Sequence, residues 1–140
     1  VFDAPPENLW AILSDCNRYT KTMVSISAAK ELSRKGNVIR CSVTVDLPFP
    51  LDDISSITEA THTVKPGKLY KRAWKLESGD YKHNTGSWTL TPFNTEGTRT
   101  LGIYVIHAEP NIPIPDAIRN AAQKHSLPNL VKHLRKQVTR

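Results

Sequence analysis

The chain has 140 residues, 39% of them hydrophobic and 23% charged, with a formal net charge of +6. That length suits one domain, and this balance argues against a disordered chain. No run approaches the roughly 18 consecutive apolar residues of a membrane-spanning helix, and two cysteines are too few for a disulfide framework, so Cys16 and Cys41 read as inert, small side chains.

Val1-Phe2-Asp3 reads as the end of a strand whose first residues are missing, and no leader pattern follows. Compartment therefore stays open between the cytoplasm and export with a removed signal. Asp3-Ala4-Pro5-Pro6-Glu7 then opens a helix. Pro6 suits a first helical position, where its missing N–H has no partner to lose, and Glu7 sits at the positive end of the helix dipole. Leu9, Trp10 and Leu13 recur at three- and four-residue spacing and give the helix an apolar face.

Turn signals punctuate the middle of the chain: Lys35-Gly36-Asn37, Pro48-Phe49-Pro50, Pro66-Gly67, Ser78-Gly79-Asp80 and Asn94-Thr95-Glu96-Gly97. Pro-Gly suits a type II turn, in which Gly supplies the positive φ. Between the signals, strands are predicted over 25–33, 38–46, 53–63, 68–77, 81–91 and 98–109. Their short connections make sequential neighbours antiparallel. With the truncated first strand the sheet has seven strands.

Alternation assigns faces. Tyr70, Arg72, Trp74 and Leu76 share one side of the fourth of these strands. Asn84, Gly86, Trp88 and Leu90 share one side of the fifth, and Gly102, Tyr104, Ile106 and Ala108 one side of the sixth. These sides are taken as inward. The sixth strand is apolar on both faces, which leaves room for a covering partner.

Pro110-Asn111-Ile112-Pro113-Ile114-Pro115 is a crossing loop. After it, Ile118, Ala122, Ser126, Leu130, Leu134 and Val138 repeat every four residues as an amphipathic helix, with a kink or break expected near Pro128. Small residues before the kink leave space above the sheet; bulky ones after it pack tightly.

Chemistry-bearing patterns are sparse. The five histidines show neither i,i+2 strand spacing nor i,i+4 helix spacing, so no metal site is expected. Ser87 follows Gly86 mid-strand, without a nucleophile elbow. Asp52 and Asp53 are neighbours on an extended chain and point apart. The basic residues of the last helix, Arg119, Lys124, Lys132, Arg135, Lys136 and Arg140, have no aromatics among them and read as a solvated face. Nucleic acid is therefore not expected as a partner; transient contact with an anionic membrane surface stays open, as do a monomer and a homodimer. Arg72 on an inward side needs a partner if buried. Asp46 or Glu59 would serve, and so would an acidic group of a ligand.

Three segments together resemble a known group. They are Asp3-Ala4-Pro5-Pro6-x-x-x-Trp10-x-x-Leu13-Ser14-Asp15-x-x-x-Tyr19, then Gly86-Ser87-Trp88-Thr89-Leu90-Thr91-Pro92, then Pro113-Ile114-Pro115-Asp116. The group is the polyketide cyclase/dehydrase-like branch of the START-related (SRPBCC, helix-grip) superfamily. The resemblance implies an α+β fold with a seven-stranded antiparallel sheet wrapped around a long C-terminal helix, the first strand being truncated here. It also implies a cavity between sheet and helix for a bulky hydrophobic molecule, such as a lipid, quinone or polyketide. In that cavity Arg72, Trp74, Asn84, Trp88, Leu90, Tyr104, Ile106, Ile118 and Ala122 are the expected ligand-binding residues. The aromatic members would serve equally as plain core. Binding or transport without chemistry is the first reading, with no cofactor expected. The alternative is a cyclase, aromatase or dehydratase in which Arg72, Tyr104 and Asn84 polarise a carbonyl or steer protons.

Overall fold

The computed structural model describes residues 1–47 and 51–138, and for 120–127 the helical backbone alone. Helix α1 (Pro6–Leu13) begins as the sequence predicts, with proline at its first position and Glu7 in its first turn. A 3₁₀ turn (Cys16–Arg18) and the short helix α2 (Tyr19–Thr22) follow. The strands are β1 (Ile26–Lys35), β2 (Val38–Val45), β3 (Ile54–Lys65), β4 (Leu69–Gly79), β5 (Tyr81–Pro92) and β6 (Thr100–Pro110), and the chain closes with helix α3 (Asp116–Val138).

The strands form one six-stranded sheet in sequential order, with every neighbour antiparallel. The turns set the registers. At Pro66-Gly67 the Lys68 N–H donates to the Lys65 carbonyl at 2.8 Å while Gly67 takes φ 75°, as a type II turn requires. From there β3 and β4 pair Val64 with Tyr70, His62 with Arg72 and Ala60 with Trp74.

Two expectations are corrected. The seventh strand shrinks to a single bridge, in which Phe2 and Thr100 exchange backbone hydrogen bonds at 2.8 and 2.9 Å. The ladder stops there because the Ala4 carbonyl is taken by Thr100 Oγ1 at 2.7 Å, and Pro5 and Pro6 have no N–H to continue it. The part of the last helix that grips the molecule is also short. Its described packing comes from Leu130, Val131, Leu134 and Val138, while Asp116, Ala117 and Arg119 are exposed. The helix is assigned without interruption through Pro128.

Phe2, Ala4, Leu9 and Leu13 pack with Tyr70, Trp88 and Leu90 from the sheet and Leu134 and Val138 from α3. A second cluster joins Cys16 to Ile39 and Cys41, with Tyr19 and Val43 against it. The cysteines are not inert: Cys16 and Cys41 form a disulfide, 25 residues apart, that fastens the 3₁₀ turn to β2. Their sequence spacing carries no sign of this, because the partners meet only once α1 has turned the chain back across the sheet.

Candidate functional site

Between the two apolar clusters lies a pocket of about 710 Å³. Its wall on the sheet side is aromatic. Trp88 and Tyr104, cross-strand partners on β5 and β6, stack at 4.5 Å with their planes 20° apart. Trp74 lies 6.3 Å from Tyr104, and its indole N–H donates to Asn84 Oδ1 at 3.1 Å. Gly86 makes this arrangement possible: it pairs with Trp74 across β4 and β5, and a Cβ there would run into the indole ring. The rest of the described lining comes from Met23, Val24, Ser25 and Ile26 at the junction of α2 and β1, with Val43 and Val45 from β2 and Leu130 from α3. Ser25 holds a positive φ of 61°, a conformation that costs a non-glycine residue energy and so marks an over-determined turn.

Of the nine residues expected to bind ligand, the structure brings Arg72, Trp74, Asn84, Trp88, Tyr104 and Ile106 together around this pocket. Leu90 is fully buried in the core cluster instead of the wall. It shares the face of Trp88, but a face assignment does not say how far along the strand the cavity extends. Ile118 is half-buried and is not among the described lining residues. The side chain of Ala122 lies outside the described residues. Residues that sequence reasoning missed come from the α2–β1 junction and β2, together with Tyr19 and Tyr81. Alternation on β2 puts Val43 and Val45 on the side of Cys41, and that was the available signal.

Arg72 is the one charged side chain among the described lining residues, and it is only 4% exposed. Neither Asp46 nor Glu59 pairs with it; Glu59 faces Lys75 at 3.5 Å. One of its terminal nitrogens lies 2.6 Å from His62 Nε2, and the other donates to Cys41 Sγ at 3.6 Å. The guanidinium carbon lies 5.8 Å from the centre of the Tyr19 ring. Because a guanidinium can only donate, His62 Nε2 accepts and the imidazole proton sits on Nδ1. Burial first, and then the neighbouring Arg72 charge, push the His62 pKa down to about 4, so the ring is neutral. Burial raises the pKa of Tyr19 against the opposing pull of Arg72, raises that of Tyr81, and pushes that of Tyr104 up to about 12. The Tyr19 hydroxyl donates to the Leu13 carbonyl.

The described wall therefore offers apolar and aromatic surface, neutral hydroxyls and amides, and one cation. No carboxylate, histidine or lysine lines it. Among the described residues no three His, Cys, Asp or Glu side chains converge as a metal site would require.

An antiparallel meander with helices packed on one face and a pocket between them is a START-like, helix-grip architecture. Residues 2–135 match the family described as polyketide cyclase / dehydrase and lipid transport, and the chain belongs to that family. Among solved structures it is similar to a STAR-related lipid transfer protein from Xanthomonas axonopodis, with 16% identity, a TM-score of 0.81, and 99% of this chain and 82% of that one covered. Human StAR-related lipid transfer protein 5 aligns with 10% identity and a TM-score of 0.78, over 99% of this chain and 72% of that one. The Zhui aromatase/cyclase from Streptomyces sp. R1128 aligns with 14% identity and a TM-score of 0.69, over 97% and 88%. At such identities the likeness is one of fold. No curated protein matches the sequence.

Proposed function

We propose that this protein binds a bulky hydrophobic small molecule in the pocket beneath α2 and α3 and carries or presents it without chemical change. The observation that supports this most is the pocket itself, about 710 Å³ walled by Trp74, Trp88, Tyr104 and aliphatic side chains. That volume is in the range of small-molecule sites generally. Arg72, Trp74, Asn84, Trp88, Tyr104 and Ile106 are the proposed ligand contacts. Family membership and the lipid transfer proteins among the structural relatives agree with this reading.

Catalysis is the weaker reading because the described wall holds no acid–base pair. A general acid or base works best with a pKa near the operating pH. The titratable side chains of the described wall are tyrosines whose pKa values burial raises, and an arginine. The polarising donors a cyclase would use are present in Arg72 and Asn84, but the described groups beside them with shifted pKa values, His62 and the tyrosines, are all moved away from neutral pH.

Two tryptophans in the wall make the test direct. Titration with a long-chain alcohol, a sterol, a quinone and an aromatic polyketide should change the tryptophan emission saturably, at one ligand per chain, for at least one of the four. Native mass spectrometry of protein isolated from its own host should show the same stoichiometry for a co-purified apolar ligand. Emission that changes only linearly with every compound, together with a ligand-free mass, would overturn the proposal.

A further inference from the structure

Among the described residues no carboxylate pairs with the charge on Arg72. Its described neighbours are all neutral: His62 is held unprotonated, Tyr19 presents its ring face, and Cys41 is locked in the disulfide and cannot supply a thiolate. Asp15 acts electrostatically on Tyr19 but makes no ion pair with Arg72, and four carboxylates of β1, β3, β4 and α1 have other partners. Glu59 faces Lys75, Glu31 pairs with Arg34 at 2.7 Å, Glu77 with Arg40 at 2.5 Å, and Glu7 accepts from the Tyr70 hydroxyl at 3.0 Å. A buried cation is costly unless paired. Here a charge without a described carboxylate partner borders the pocket.

We infer that the pocket takes an amphiphile with a monoanionic carboxylate head, bound by the Arg72 guanidinium, and a hydrophobic body lying along the Trp74, Trp88 and Tyr104 wall. This rests on the pocket reading above and names the class of ligand. Three observations select the head group. One cation in the described wall balances one negative charge, so a phosphate monoester dianion would be left half-paired. A guanidinium has five N–H donors in a planar fork that matches a carboxylate; its contacts to His62 and Cys41 use two of them. Arg72 is 4% exposed, so the head must be small and terminal to reach it. A phosphodiester carries a substituent on each side and is a poorer fit. The hydroxyls of Ser56 and Thr58 also border the pocket and are suitable hydrogen-bond donors to such a head.

The inference is tested with oleate, oleyl alcohol and oleoyl lysophosphatidylglycerol, each kept below the concentration at which it forms micelles. Binding is read by tryptophan emission. The wild-type protein should hold oleate at least tenfold more tightly than oleyl alcohol, and more tightly than the phosphodiester lipid. Arg72→Met preserves most of the stem and removes the charge; it should cut oleate affinity tenfold or more while leaving the alcohol within about threefold, as expected for loss of a charge-assisted pair. Should Arg72→Met fail to fold, the wild-type preference for oleate over the alcohol decides alone. Equal wild-type affinity for acid and alcohol overturns the carboxylate site and leaves the apolar pocket standing. Tighter binding of the phosphodiester than of oleate also overturns it. Failure of all three to bind, while a sterol or quinone does, overturns it too; failure of every apolar compound removes the pocket reading itself.

Discussion

Arg72 and His62 show what single residues contribute and where alternation stops. Period-two counting puts Arg72 on the side of Trp74, and both line the pocket. The same counting cannot name a cross-strand partner, so carboxylates on neighbouring strands were the natural expectation. The partner is His62, directly opposite in the β3–β4 register that the turn at Gly67 sets. Counting outward from that turn would have found the pair. The consequence is a pH dependence. His62 has its ordinary pKa of 6.5 when unfolded and about 4 when folded, because burial and Arg72 both oppose its protonation. Between these values the unfolded chain binds the extra proton, so the contribution of His62 to stability is full above pH 6.5 and is lost as pH falls toward 4. The loss by pH 4 should be on the order of 2–3 kcal/mol. Urea unfolding at pH 7 and pH 4.5 checks it. His62→Gln keeps an acceptor for Arg72 without the titration and should flatten the dependence; an unchanged slope in that variant would assign it to other groups.

At the scale of elements, the six strands were legible because glycine- and proline-bearing turns bound them, and the observed spans lie within a few residues of the predicted ones. The failures have physical causes. The seventh strand needs backbone N–H groups that Pro5 and Pro6 lack. The disulfide joins a 3₁₀ turn to a strand, and nothing local to either cysteine reports that meeting. Its effect should nevertheless be large. Closing a loop of 25 residues removes freedom from the unfolded chain worth about 3 kcal/mol. It also pins the segment that carries Tyr19 and Met23 to the pocket wall. Replacing Cys16 and Cys41 together by alanine should lower Tm by roughly 10 °C for a domain of this size, and should weaken ligand binding by loosening one wall. A calorimetric scan showing a shift of only a degree would mean that packing of Ile39, Tyr19 and Val43 holds the turn in place without the bond.

For the molecule as a whole, the decisive question is whether the space between the two clusters is a cavity for a guest or slack that the chain itself takes up. The inward aromatics alone do not answer it, since the same pattern builds a filled core. Alternation alone pointed to the wall residues, whereas the cavity was expected from the family resemblance and from the small residues before Pro128. Val43 offers the test, because it packs against the Cys16–Cys41 cluster on one side and borders the pocket on the other. In a filled interior, Val43→Phe forces extra volume into occupied space and costs about 1–3 kcal/mol. Beside about 710 Å³ of open volume the ring has room, and the added contacts offset its ordering. The variant without ligand should therefore melt at the wild-type temperature or slightly above it. The guest should lose its place at the same time. A ligand at a hundred times its dissociation constant stabilises the wild-type protein by about 2.7 kcal/mol, and this ligand-dependent rise in Tm should shrink or vanish in Val43→Phe. Both readouts come from one pair of melting curves, taken with and without oleyl alcohol. A variant that melts several degrees lower yet keeps the full ligand shift would place the guest elsewhere on the molecule and the filled core here.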